Sequence, residues 1–305
     1  HLMALAVFSA MGMPLNAYES GEILKGYVQE NTIYKKSNDN ALFLLQNKWE
    51  KELKRKYGNN KILSIENGVF YIPINMKLGS RKVKINVTEI NRQINPELEI
   101  IPKTAKETLH SKSKINRIAK ENNAIIAING SYFKQDTGTT LGVVVIDNEI
   151  ISGPIYERAG LGISDNGFKT ARINFTGEIK GNGHTVKIHN INQPRLSVNH
   201  VLIYNSKWGT KAPVTSKPSV YISVKNNKII EKSNRPLHIE KDSIVISAPN
   251  GYFKTFNVGD IVELNYKLNP EWGNVKHIIS GGPYLIKQGS VFIDAESEKL
   301  KSITG

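Results

Sequence analysis

The sequence predicts an α+β fold, with β-rich mixed sheets flanked by a few helices. Short runs of β-branched and aromatic residues recur from Ile62 to Ile293, parted by Gly, Asn, Asp and Pro. Helical spacing of apolar residues shows in only two windows. Turn signals such as Asp147-Asn148, Asp165-Asn166-Gly167 and Gly181-Asn182-Gly183 separate the later runs.

Taken in order, Leu2 to Leu15 is an apolar stretch too short to span a bilayer. With small Ala17 just beyond it, residues 1–17 read as a signal-peptide remnant lacking a basic start, and hence as the mark of a secreted or cell-envelope protein. Residues 18–80 form an N-terminal helical and extended region. Within it Leu42, Leu45, Trp49 and Leu53 space a helix over 41–57. Residues 81–305 form the main domain. There 87–101 reads as strand, Asn95-Pro96 turn and strand, and 108–122 as a helix on Leu109, Ile115 and Ile118. That helix leads into the apolar run Ala124–Ile128, which stops at Asn129-Gly130. A hairpin turn and a bend at the rim of a site both explain that stop.

Composition narrows the function. Apolar content of 39% and charged content of 22% belong to a globular chain. The 41 Lys and Arg against 27 Asp and Glu give +14, which steers anionic partners. The basic residues are diffuse, densest at Lys51 to Lys56, and no recognised nucleic-acid module accompanies them, so nucleic acid is not the expected partner. Cysteine is absent, which removes disulfides and thiolate metal sites. The seven histidines show no ligand spacing, and no phosphate-binding Gly-rich loop or nucleophile elbow occurs. Neither metal nor cofactor is expected.

Several phrases in order resemble the phosphodiester glycosidases, the family of the lysosomal uncovering enzyme. These are 83–133 with its Asn129-Gly130-Ser131-Tyr132-Phe133 block, 139–152, 201–229 with Tyr204 and Trp208-Gly209, and 258–291 with Gly281-Gly282-Pro283. The resemblance covers about residues 83 to 291. Lys134 stands where many relatives have an acidic residue, and the family's later Leu-Asp-Gly-Gly-Gly-Ser phrase does not occur. The second departure implies a second fragment or subunit that completes the domain.

The resemblance implies a hydrolase of sugar-1-phosphodiesters in phosphorylated glycans or anionic wall polymers. Such a reaction expels a phosphate monoester, a weak base, so the main needs are a carboxylate that activates water or attacks the anomeric carbon and donors that hold the phosphate. Asn129 with Asp136 or Glu157 are the catalytic candidates. Gly130 would bend the chain at the cleft. Of Tyr132 and Phe133, one anchors the core and the other stacks on sugar. Gly281 and Gly282 offer N–H groups for an anion nest or mark a strand bulge. Arg158, Arg195 and Lys211 are the candidate phosphate contacts. Tyr204 and Trp208 read as a sugar platform or as buried aromatics. A non-catalytic carbohydrate- or anionic-polymer-binding module on the same fold is the competing reading.

Overall fold

The computed structural model describes residues 39–165 and 167–300, with the backbone of a strand at Leu5–Ser9. The remainder of the 1–17 segment and Asn166 of the Asp165 turn lie outside the described residues. The protein is strand-rich, 44% strand against 9% helix, and is a β-rich α+β fold. No helix among the described residues is long and apolar enough to cross a membrane.

The chain divides into two compact units, one of residues 8–99 with 122–125, the other of 1–7, 100–121 and 126–305. The expected boundary at 80/81 falls in a hairpin turn. Strands Val69–Leu78 and Arg81–Ile90 pair along their full length on either side of it, so both belong to the first unit. Strand Leu63–Glu66 pairs with the other edge of Val69–Leu78. Helix Asp39–Tyr57 lays Trp49, Leu53 and Tyr57 on this sheet, one turn apart. Leu53, Phe70 and Ile72 are the buried centre, each contributing about 1.5–3 kcal/mol by burial. Leu42 and Leu45, expected on the same stripe, are exposed. The helix ends at Gly58, whose φ of 58° lets its N–H reach Lys54 O at 3.0 Å.

The second unit is built of sheets. One five-stranded antiparallel sheet runs in the order Glu149–Ser152, Val144–Ile146, His277–Ser280, Ala159–Ser164, Gly167–Arg172. Another runs Asn190–Ile191, Leu202–Tyr204, Ile244–Pro249, Ser219–Lys225, Lys228–Ser233. A three-stranded sheet orders His184–Ile188, Asn174–Gly181 and Glu263–Asn269.

The second sheet is apolar on both faces. Ile203, Val220, Ile222, Val224 and Ile246 turn to a large core shared with Val143, Val145, Ile179, Ile188 and Ile278. The alternate residues Leu202, Tyr204, Tyr221 and Val245 turn to a second core with Trp208, Leu237 and Ile239. A period of two therefore divides one strand between two cores, and the runs read as continuously apolar.

The helix expected over 108–122 is confined to Ile115–Glu121. Leu109 is drawn into a cluster with Val144 and Ile151 while its N–H donates to Lys207 O at 2.8 Å. Ser111 Oγ donates to Thr108 O at 2.8 Å. Tertiary anchoring and a local side-chain bond hold 108–114 out of the helix.

Candidate functional site

The site is built where the Asn129 block meets the Gly281-Gly282 corner, within the second unit. Strand Ala124–Asn129 ends at Asn129-Gly130, and the next strand, Tyr132–Phe133, pairs with Thr140–Leu141. The strands on either side of Asn129-Gly130 lie in different sheets, so the dipeptide is a corner and not a hairpin turn.

Ser131, fully buried, donates from Oγ to Ser280 O at 2.7 Å. Tyr132 donates from its hydroxyl to Gly282 O at 2.9 Å. Ser280 N–H in turn donates to Val143 O at 2.9 Å. Gly142 lies against the same serine: its φ of 137° is one that side chains rarely adopt, and a Cβ there would stand 2.1 Å from Ser280 Oγ, so a larger residue would strain the backbone and displace that hydroxyl. The two predicted rims are thus one structure.

Arg158 completes it. Tyr156 and Glu157 both hold left-handed backbone, φ 55° and 47°, a conformation a bulky residue adopts only when its surroundings impose it. This turn delivers the Arg158 guanidinium to 5.1 Å from the Tyr132 ring and 5.7 Å from the Tyr156 ring, within cation–π range of both. Burial pulls its pKa down from the usual guanidinium value, partly offset by the two tyrosines and Glu298. Nε donates to Glu298 O at 3.1 Å and Nη2 to Lys299 O at 3.5 Å.

The Gly-Gly corner is not the expected anion nest: the carboxylate that lies against it comes from the chain itself and is held by the N–H groups of other residues. Gly281 N–H donates to Ala159 O at 2.9 Å and is not free for a ligand. Beyond the corner, Tyr284 N–H donates to Glu298 Oε1 at 3.1 Å, and Ala159 N–H donates to Oε2 at 3.0 Å. Arg172 Nη2 stands 3.7 Å from Oε1. Glu298, fully buried, is therefore a strut that fixes the corner.

Asn129 is exposed and lines a narrow cleft with Lys103, Thr104, Ser111, Gly138 and Thr140. The space in the cleft open to the centre of a water molecule is about 30 Å³, which suits a few waters and not a sugar ring, so a sugar would rest on its rim. Nearby, His110 Nδ1 lies 2.8 Å from Thr139 Oγ1, and its ring meets Trp208 edge to face at 4.3 Å. Burial first, and then the Lys134 charge, push the imidazole pKa below its ordinary value, favouring the neutral ring. A larger groove of about 270 Å³ is lined by Glu107, Asp147 and Glu149 with Lys207, and three carboxylates there disfavour a phosphate.

The remaining candidates divide. Asp136 is exposed, accepts Thr137 N–H at 2.8 Å, and stands 3.8 Å from Lys134 Nζ. The backbone bond, followed by the lysine, holds its pKa below the usual carboxylate value. Glu157 is exposed beside Arg158.

Tyr204 and Trp208 are core residues and not a sugar platform: Tyr204 is fully buried, and its hydroxyl donates to Gln193 O at 3.2 Å. Arg195 is no free phosphate contact either. Its Nη2 donates to Ser247 Oγ at 2.7 Å and its Nη1 to Ser219 Oγ at 3.5 Å, tying neighbouring strands together. Lys211 is exposed and bridges through its backbone to His238. Among the described residues no three His, Asp or Glu side chains gather as a metal site requires.

Sequence reasoning missed Ser131, Ser280, Glu298 and His110. Ser131 sits inside the quoted block; the others have no local signal.

No protein-family profile and no curated protein matches the sequence. Among solved structures the chain is similar to a hypothetical protein from Synechocystis, with a TM-score of 0.71 and 20% identity over 78% of this chain and 46% of that one. At that identity the likeness is one of fold, and this chain spans about half the length of that structure.

Proposed function

We propose that the protein is an exported hydrolase of sugar-1-phosphodiester bonds, acting on phosphorylated glycans or anionic wall polymers. The observation that supports this reading is the joining of the Asn129 block to the Gly281-Gly282 corner through Ser131 and Tyr132, with Arg158 between two tyrosines beside them. Arg158 meets the phosphate through Nη1, because Nε and Nη2 are held by Glu298 O and Lys299 O, and the low-dielectric surroundings strengthen that attraction. Asn129 holds the sugar at the cleft mouth. Glu157 or Asp136 takes a proton from water as the water's oxygen bonds the anomeric carbon. The anomeric C–O bond breaks toward phosphate, releasing a phosphate monoester and the free sugar.

The test is release of reducing sugar from a synthetic N-acetylglucosamine-1-phosphodiester by the wild type, Asn129→Ala and Arg158→Gln. Loss of one positioned polar group should lower kcat/KM by about 10²-fold, with the circular dichroism spectrum retained. Unchanged turnover in both variants would sink the assignment. The competing reading, a binding module without catalysis, is favoured by one observation: Asp136 is engaged in its own turn and paired with Lys134. Salt-sensitive retention of the diester polymer without any product would select it.

A further inference from the structure

The 22 residues between Glu66 and Glu89, less the turn at Asn67-Gly68, form a long hairpin without a single acidic residue. Its register places Ile74 opposite Ile85, Met76 opposite Val83 and Leu78 opposite Arg81 on one face. Asn75 opposite Lys84 and Lys77 opposite Lys82 share the other face. Near its base the apolar face is covered, where Phe70, Ile72, Ile74 and Val87 pack with Trp49 and Leu53 of the helix. Toward the tip that cover stops. Met76 is 44% exposed, Leu78 69% and Ile85 40%. From Ile72 to Leu78 the strand runs about 20 Å at the usual rise per residue.

Two features set this tip apart from an ordinary solvated turn. Lys77 and Lys82 stand directly opposite one another, an arrangement that like charges disfavour and an outside anion would relieve. The apolar row continues on the reverse face to the turn, ending at Leu78 with Arg81 beside it. Arginine at such a place lays its methylenes along apolar surface and carries its charge to the boundary. A polyanion in water would be satisfied by the lysines alone and would leave Met76, Leu78 and Ile85 uncovered. An anionic lipid surface meets both faces.

We propose that this hairpin tip docks on anionic lipid bilayers. Met76, Leu78 and Ile85 enter the boundary between headgroups and acyl chains, and Lys77, Arg81, Lys82 and Lys84 contact lipid phosphates. The inference is independent of the glycosidase reading, because every residue it uses lies in the first unit, outside the site described above.

The full chain is sedimented with vesicles of phosphatidylcholine alone and of phosphatidylcholine mixed with phosphatidylglycerol. The expected result is binding to the mixed vesicles only, reversed by salt. Lys77→Gln/Lys82→Gln/Lys84→Gln should weaken it about a hundredfold, the loss of three basic groups at an anionic surface. Met76→Ser/Leu78→Ser should weaken it at least about tenfold by removing the inserted groups. All five positions lie toward the tip, beyond the residues that pack on the helix, so each variant should keep the wild-type melting temperature. The proposal is overturned if neither vesicle binds, or if both bind equally. It is overturned too if the serine variant binds like wild type and only the glutamine variant fails, which identifies a soluble polyanion site. A serine variant that becomes monomeric from a wild-type dimer, with vesicle binding intact, overturns it in favour of a second copy of this chain.

Discussion

Glu298 has no exposure to water, yet its carboxylate is fully engaged by two backbone N–H groups and, at longer range, by Arg172. A carboxylate so placed is stable only while its donors remain. Four residues earlier Asp294 accepts from Arg172 Nη2 at 2.7 Å, and Ser297 and Arg172 hold its pKa down at about 2. Removing Glu298 strands the buried Ala159 N–H and the half-buried Tyr284 N–H and leaves Arg172 with Asp294 alone. Glu298→Ala should therefore destabilise the protein by about 2–4 kcal/mol, the cost of two donors left without an acceptor. Glu298→Gln, which keeps acceptor oxygen at one of the two N–H groups, should lose about 1–3 kcal/mol. Urea denaturation decides the matter: equal midpoints for the alanine variant and the wild type would show that water replaces the carboxylate freely. Nothing near Glu298 in the sequence distinguishes it from Asp294 or Glu296. Its partners Ala159 and Tyr284 approach it only through the fold, so its role was not legible.

The element that Glu298 supports, the Gly281-Gly282-Pro283 corner, treats its two glycines differently. Gly282 has φ 115°, and a Cβ there would stand 2.3 Å from Glu298 Oε2. Gly281 has nothing within 4 Å of the corresponding position. Gly282→Ala should cost at least about 2 kcal/mol through backbone strain and displacement of the strut. Gly281→Ala should change stability by less than about 1 kcal/mol. Thermal melting of the pair checks this, and equal losses would mean that the corner is set by something other than the Glu298 contact.

At this scale much was readable. The helix on Trp49 and Leu53 followed from local spacing, and the left-handed pair Asp147-Asn148, φ 49° and 65°, makes the expected hairpin turn. The segment 108–114 was not readable, because Leu109 answers to Val144 and Ile151 rather than to its neighbours along the chain. Tyr204 and Trp208 show the same limit. A sheet buried on both faces puts aromatic residues in apolar runs that look identical to a binding platform.

Across the whole molecule three histidines share one tendency. His110, His189 and His200 all have pKa values pushed below 6.5, in each case chiefly by burial. Lys134 adds to this at His110, His200 and Lys187 at His189, and Arg195 and Lys187 at His200. The rings of His189 and His200 stack at 4.7 Å, so protonating one opposes the other. Below the ordinary value of 6.5 the unfolded chain binds protons that the folded protein resists. The histidine contribution is therefore full above 6.5, declines as pH falls through it, and levels off below the folded values. Melting temperature should drop between about pH 7.5 and 5.5, and His189→Asn/His200→Asn should flatten that drop. A flat wild-type profile over this window would contradict the burial of these rings. The candidate site was legible as two phrases, not as one place, since nothing in the sequence says that they touch. That contact also has a consequence for biosynthesis. Ser131 and Ser280 are 149 positions apart, and at ribosomal speeds of 5–20 residues per second the second serine is made about 7 to 30 s after the first. Through that interval the Asn129 block has been translated but lacks its mate, so a nascent chain arrested before Ser280 exposes a polar seat with nothing to fill it.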